Sequence, residues 1–382
     1  MRIELKQVIF PQSKSKIKAG DGKAEGKYKF FTSSPIQSKF VDEANYDKPS
    51  LIFGTGGNAS VHFCNEPFST STDCLVMYGR SKTELETIYN YLKSNIGILE
   101  NGFKGAGLKH ISKDYILAIE IDLPSEEIQL DFLQKNRIID GLIEAKQAQL
   151  HLSEELVKSR FIEMFGTLSS HEQNFEILTI EALCSLIKDG THQTPTYTED
   201  TINGFKFLSS KDVMTEKIDW SDIKYIPSDL HERLYAVVKP IRNDILMSKN
   251  GVNYGVAAVN DTDEVFDIYV SLALLRPKTD IINPVYFRCA INNPDTKRQF
   301  DGSIKGIGVP NLHLGEIKKT QILVPPMDKQ IEYVSFVEQI DKSKYIEKIL
   351  VRVLAIFGKK YIFGNRMNTF FLKDQGLLYE SL

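Results

Sequence analysis

The chain repeats itself at a spacing near 200 residues, and this constrains the fold more than any single motif. Gly57 and Gly251, each following an apolar triplet, stand 194 apart, as do Asp73 and Asp267. Lys104-Gly105-Ala106-Gly107-Leu108 reads against Lys305-Gly306-Ile307-Gly308-Val309 at an offset of 201. The pairs Leu123-Pro124 with Val324-Pro325, and Gln129-Leu130 with Gln330-Ile331, keep that offset, and Phe165-Gly166 answers Phe357-Gly358 at 192. Order, spacing and residue type agree along a whole half, so whatever one half folds into, the other should fold into as well.

After each Pro the sequence turns helical. From about Glu126 to Phe165 the residues Ile128, Phe132, Ile139, Leu142, Leu152, Leu156 and Ile162 recur mostly at threes and fours, the period of an amphipathic helix. From Asp328 to Phe357 the same holds for Ile331, Val334, Ile340, Ile346, Ile349 and Val353, and Gly358 is expected to stop that helix. Two equivalent helices can pair as a coiled coil about a pseudo-two-fold axis; each could also pack on its own half. The blocks 1–123 and 167–323 show short β-branched and aromatic runs, such as Tyr115–Leu123 and Glu264–Leu275, broken by Gly, Asn and Asp turns. The expected fold is α/β, mixed α+β in detail: two globular domains at 1–123 and 167–323, spacer helices at 124–166 and 324–358, and an unassigned tail at 359–382.

Charge is informative only where it is local. With 47 basic and 50 acidic residues the net charge is −3, which excludes a uniformly basic coat. Residues 1–40, however, hold nine bases (Arg2, Lys6, Lys14, Lys16, Lys18, Lys23, Lys27, Lys29, Lys39) against Glu4, Asp21 and Glu25, a surplus of six. Residues 286–319 hold six bases against three acids. Either patch can be a nucleic-acid contact or an ordinary solvated loop. The four cysteines lack CxxC spacing, the first residues lack a secretory apolar core, and the longest apolar stretch, Tyr269–Leu275, is far too short to span a bilayer. A reducing cytoplasm is the expected compartment.

Catalytic motifs are weak or missing. Gly54-Thr55-Gly56-Gly57-Asn58-Ala59 fits GxGxxA, but Ser60–Cys64 continues as a strand where a phosphate-binding loop must open a helix, so a Gly turn between strands is the better reading. Pro294-Asp295 with Glu316-Ile317-Lys318 matches a loose metal-nuclease pattern, yet ExK recurs at Glu4, Glu25 and Glu144. No base-flipping NPPY element and no GxxxxGK[ST] loop is present, and the seven histidines make no pair at metal-ligand spacing. The most unusual string is Asp189-Gly190-Thr191-His192-Gln193-Thr194-Pro195. Its small polar side chains can touch phosphates and base edges, or can simply satisfy their own turn.

That string, followed by Gly204-Phe205-Lys206-Phe207-Leu208-Ser209-Ser210-Lys211-Asp212, together with Gly26-Lys27-Tyr28-Lys29-Phe30-Phe31-Thr32-Ser33-Ser34 and Phe68-Ser69-Thr70-Ser71-Thr72-Asp73, resembles the specificity subunits of type I restriction-modification systems. The doubled turn, Pro and long helix ending in FG are similar to that family's conserved regions, and the resemblance covers the chain to about Gly358. It implies two target-recognition domains joined by an antiparallel pair of long coiled-coil helices. It implies a noncatalytic chain whose partners are double-stranded DNA, modification subunits that bind S-adenosylmethionine, and restriction subunits that use ATP and Mg. No cofactor or metal is expected on this chain. Each domain would read one half-site, with loop residues chosen by chemistry: Lys14, Lys16, Lys18, Lys27, Thr32, Ser33, Asn58 and Lys104 in the first, and Thr191, His192, Thr194, Lys211, Lys249, Asn250, Tyr254, Lys305 and Asn311 in the second. Two departures stand out: the tail from Lys359 has no counterpart, and 42 residues separate Pro124 from Gly166 against 33 between Pro325 and Gly358. The alternatives are a nuclease or methyltransferase acting alone, and a protein-binding scaffold, for which the acidic first helix would speak.

Overall fold

The computed structural model describes residues 2–105, 107, 109–170, 175–304 and 310–361. It divides into two compact units, one built from the chain up to Ala148 with the segment from Lys348 onward, the other from Gln149 to Glu347. Each long helix, Glu126–Phe165 and Met327–Tyr361, contributes to both.

Both units carry the same sheet topology. In the first, a four-stranded antiparallel sheet runs in the order Ile9–Pro11, Cys74–Gly79, Ser50–Gly54, Ser60–Cys64; in the second the order is Cys184–Asp189, Leu272–Pro277, Ile245–Ser248, Ala257–Val259. Each also has a three-stranded sheet whose centre, Tyr28–Phe31 or Phe205–Leu208, pairs antiparallel on one side and parallel on the other. A two-stranded ribbon closes each unit, Arg2–Glu4 with Glu120–Asp122 and Glu176–Thr179 with Gln321–Val324.

The central strands explain the apolar triplets. Side chains alternate across a strand, so a strand buried on both faces reads as continuously apolar. Leu51 and Phe53 enter the core shared with Leu85, Ile88 and Leu92 of the helix Lys82–Ser94, while Ile52 enters a second core with Phe31, Tyr46 and Phe68. In the other unit Ile245 and Met247 pack with Tyr286 and Phe287, and Leu246 packs with Leu208 and Phe266. All these strand residues are fully buried or within 1% of it.

Register fixes which residues correspond. Gly57 and Gly251 occupy the same turn with φ of 78° and 82°, as the 194 offset required. Buried Gln129 and Gln330 each donate through Nε2 to the carbonyl of the Pro five residues earlier, at 2.9 and 2.8 Å, as the 201 offset required. The pairing of Asp73 with Asp267 is corrected: Lys29 faces Phe68 and Lys206 faces Phe266, so Asp267 corresponds to Ser69. Asp73 corresponds to Ser271, since each carbonyl accepts the N–H of the residue that opens the turn, Thr55 or Lys249. The loop before the parallel strand adds residues to one half, which a single offset could not register.

The first long helix ends at Phe165, where Gly166 takes φ 76° and its N–H bonds to Ile162 O at 2.7 Å. The second does not end at its FG: helix continues past Gly358 to Tyr361, so Gly358 is not a cap. Within the second unit the two helical segments run antiparallel, with Phe161 against Tyr333 (5.4 Å between rings) and Glu154 paired with Lys344 at 3.1 Å. Phe165 adds edge contacts with Tyr286 and Tyr333 at 5.2 and 5.5 Å, which nails both helices to that unit's core. The 359–382 tail lies outside the described residues apart from its first turn of helix.

Candidate nucleic-acid interface

In the first unit the basic segment is a strapped, extended loop. Gln12 N–H donates to Val76 O and its side-chain amide to Ser50 Oγ, both at 2.8 Å; Tyr46 OH donates to Ser13 O at 2.8 Å; Thr72 N–H donates to Ile17 O at 2.9 Å. Extended backbone then alternates, so Ser15 is buried and bonded to Ile17 N–H while Lys14, Lys16 and Lys18 project outward. None of these three, nor exposed Lys27, has a carboxylate partner among the described residues. Their neighbours differ: Lys23 pairs with Asp42 at 2.6 Å and Lys29 with Glu66 at 3.6 Å. Lys14, Lys16, Lys18 and Lys27 therefore carry charge that no neighbouring carboxylate among the described residues offsets.

The polar candidates of this unit divide. Ser33 donates to Asp73 O at 2.6 Å and accepts from the N–H groups of Thr55 and Gly56, at 3.2 and 3.3 Å, so it clamps the Gly turn to the sheet. Thr32 Oγ1 accepts Ser34 N–H at 3.4 Å. Asn58, just past Gly57, is exposed, and its side chain has no partner among the described residues. Lys104 is exposed on a short strand paired with His110–Ile111, and His110 Nδ1 lies 3.0 Å from Thr55 O, which joins that ribbon to the turn.

In the second unit Thr191 takes the place of Ile17: its carbonyl accepts Val270 N–H at 2.9 Å, as that of Ile17 accepts Thr72 N–H. His192 therefore stands where Lys18 stands. Gly190 is needed here because a Cβ would lie 2.3 Å from the Tyr269 carbonyl oxygen. Thr191 Oγ1 accepts Gln193 N–H at 3.1 Å, the self-satisfied turn, whereas His192 and Thr194 are exposed. Lys249 is buried, and its ammonium is bonded to the Asp189 carboxylate, with His192 Nε2 at 3.7 Å from the same carboxylate. Lys211 is engaged by Asp212 and Asp222 at 2.7 and 3.2 Å. Asn250 Nδ2 donates to Asn311 Oδ1 at 3.2 Å across a strand bridge, the same bridge that joins Gly56 to His110. Tyr254 OH bonds to Asp301, and the Lys297 ammonium sits 3.3 Å from the Tyr254 ring centre. Lys305 lies outside the described residues.

Correspondence exposes what sequence reasoning missed. His110 holds the position of Asn311, yet a lone histidine in a loop carried no signal until the two bridges, Gly56 to His110 and Asn250 to Asn311, were matched. Thr55 and Lys249 are likewise the same position with opposite character.

The remaining motifs resolve into framework. Gly54–Ala59 is the hairpin turn between strands Ser50–Gly54 and Ser60–Cys64. Asp295 accepts Leu168 N–H at 3.0 Å and pairs with Arg298, while Glu316 pairs with Lys319 and Lys318 with Glu181. All four cysteines are buried free thiols; burial pushes Cys74 up to about 11 and Cys184 up to about 12. No helix among the described residues is long and apolar enough to cross a membrane.

With two copies of one topology established, comparison with known proteins is decisive at the level of family. Residues 1–151 and 200–354 match the model of the type I restriction modification DNA specificity domain. The chain belongs to that specificity family. It is 21% identical over 356 residues to the type I restriction enzyme MjaVIII specificity subunit of Methanocaldococcus jannaschii, spanning 86% of this chain and 82% of that one. It is 22% identical over 333 residues to the EcoBI specificity subunit of Escherichia coli, covering 80% and 69%. Among solved structures, the S subunit from M. genitalium aligns over 95% of this chain and 94% of its own, at 15% identity and a TM-score of 0.54. A chain from a structure describing assembly and conformational transition of the type I R-M system aligns over 95% and 96%, at 13% identity and a TM-score of 0.58. These likenesses establish the specificity-subunit fold, including mixed α/β repeats and long helices.

Proposed function

We propose that this specificity-family chain is a noncatalytic DNA reader. The blocks 1–123 and 167–323 each recognise one half-site of a bipartite target, and the helical segments 124–166 and 324–358 set the distance between them. The observation that carries this reading is positional: in both units the loop after the first sheet strand and the Gly turn are held at equivalent places by equivalent backbone bonds, while the side chains they present differ, Lys18 against His192 and Gly56 against Asn250. A constant frame with variable tips is what two readers of different sequences need.

Lys14, Lys16, Lys18, Lys27 and Lys104 supply phosphate contacts in the first block, with Asn58 offered to base edges. In the second, His192, Thr194, Asn250 and Asn311 face the duplex, Thr191 shapes the loop, and Lys249 and Lys211 act through the carboxylates they hold. Methylation and cleavage belong to partner subunits, which carry S-adenosylmethionine, ATP and Mg and dock on this chain in the cytoplasm. The test is methylome sequencing of the source cell with the gene present and deleted. Loss of one bipartite methylated motif supports the reading; an unchanged methylome, or methylation by the purified chain alone, overturns it.

A further inference from the structure

A cavity of about 190 Å³ lies within the second unit, where its helical segments meet the segment Met214–Lys217 and the helix Pro284–Ile291. Arg288 lines it. The residue is buried, its guanidinium bonds only weakly, through Nη1 to the Glu216 carbonyl and through Nη2 to Cys289 Sγ, both at 3.4 Å, and its Nε has no acceptor among the described residues. A buried guanidinium whose donors are incompletely satisfied is costly, so it calls for further oxygen acceptors. The acidic side chains on the cavity wall, Glu154, Glu216 and Asp341, stand near enough for charge to act on Arg288 in the case of Glu216 and Asp341, but none puts a carboxylate oxygen in hydrogen-bond contact with the guanidinium. Asp341 is bonded to Lys217 and Glu154 to Lys344, each at 3.1 Å. Glu216 presents its carbonyl to Arg288 from a left-handed backbone at φ 60°, a conformation that a glutamate adopts only at a cost. The wall therefore combines a desolvated, partly unsatisfied guanidinium, two ammonium groups each paired with a carboxylate, and a strained residue that turns its carbonyl inward.

We propose that this cavity is an oxyanion site, taking a carboxylate or phosphate group whose oxygens bond to Nε and Nη of Arg288, the planar donor set best matched to such groups. The available volume admits a small anion. Because the cavity is walled by both long helices and by the globular core, its occupant ties the helical segments to that core. This places a soluble metabolite or ion, independent of DNA, in control of how firmly the second unit holds its helices.

The full-length chain is titrated with inorganic phosphate and separately with acetate at constant ionic strength, following thermal unfolding and the alkylation rate of Cys289 by peptide mapping. Cys289 lines the same cavity, so an occupant shields it. At ten times the dissociation constant, one-site binding multiplies the folding constant by about elevenfold and slows Cys289 labelling by about the same factor. Both effects are expected in the wild type, with Cys64, Cys74 and Cys184 unaffected, and both are expected to vanish in Arg288→Gln. Equal stabilisation in Arg288→Gln, or no protection of Cys289 in the wild type, would overturn the proposal. The second readout needs no variant, so it decides the matter even if Arg288→Gln does not fold. Phosphate alone or acetate alone acting identifies which oxyanion the site takes.

Discussion

The ammonium of Lys249 is bonded to the carboxylate of Asp189, with only 6% of the lysine side chain exposed, and this one pair joins the Gly turn to the loop that carries His192 and Thr194. Removing one partner leaves the other charge unpaired in a part-buried place, a change that costs up to about 3–5 kcal/mol when the site is fully buried. Lys249→Met is therefore expected to lower the thermal midpoint of the purified chain by several degrees, and Asp189→Asn to do nearly as much. Lys211→Met should change it less, because the lysine side chain is itself half exposed and buried Asp212 keeps the bonds it accepts from Ser209 N–H and Ser209 Oγ. Differential scanning calorimetry of the three variants checks the order; a Lys249→Met protein as stable as the wild type refutes the structural role.

Salt dependence separates that role from phosphate contact. Each neutralised phosphate contributes about 0.9 to the slope of log affinity against log salt. Replacing Lys14, Lys16 and Lys18 together by Ala should flatten the slope of the assembled complex by about 2 to 3 while leaving the recognised sequence unchanged. Fluorescence anisotropy at several salt concentrations measures it, and an unaltered slope would remove these lysines from the interface.

Exchanging residues 1–123 for the corresponding block of a related subunit should alter one half of the methylated motif and keep the other. Long-read methylation mapping gives the answer directly. A motif changed in both halves would mean that the blocks do not read independently.

The first helix has 40 residues and so runs about 60 Å at 1.5 Å per residue. Deleting one heptad from each helix, Glu144–Leu150 and Lys348–Leu354, keeps the phase of each apolar stripe, leaves Phe161 and Tyr333 in place, and shortens each rod by about 10 Å, roughly three base pairs. The unread spacer should contract, or binding should fail because that shift also turns one half-site by about 100° around the duplex. Full activity on the original spacer would exclude the helices as the element that sets distance.

Asp267 offers a pH signature. Burial raises its carboxyl above the ordinary 3.8, partly offset by His231, whose Nδ1 lies 2.6 Å away and whose ring stacks on Phe205 at 3.6 Å. A raised acid is favoured when protonated, so its contribution is complete below 3.8 and is lost as pH rises through the folded value. The wild type should thus gain stability relative to Asp267→Asn as pH falls through that window. Denaturant midpoints across the acid range test the sign, and a wild type that loses ground on acidification contradicts it.

Much of this was legible because backbone constraints recur. A turn that forces positive φ leaves Gly at 57 and 251, and a helix start that needs an internal donor leaves Gln at 129 and 330. The exposed lysines of the first loop were legible for a simpler reason, since few acids lie near them in sequence. The second half resisted because its cations are neutralised by tertiary partners: nothing in the string around Lys249 announces Asp189, sixty positions away. The end of the second helix was misjudged for a related reason, as Gly358 is tolerated within a helix that continues for another turn.

The turns at Gly57 and Gly251 carry a consequence for how such chains diversify. At either glycine a Cβ would meet no atom within 4 Å, so the restraint there is one of backbone hand and not of space. The residues that follow, Asn58 and Val252, stand clear of the core and share that hinge point. A change in what the tip displays therefore leaves the sheet beneath it unaltered, and the energetic penalty for novelty stays small and local. Substitutions at one tip can therefore accumulate without disturbing the sheet of that unit, and the second tip, on a sheet of its own, is free to change on a separate schedule.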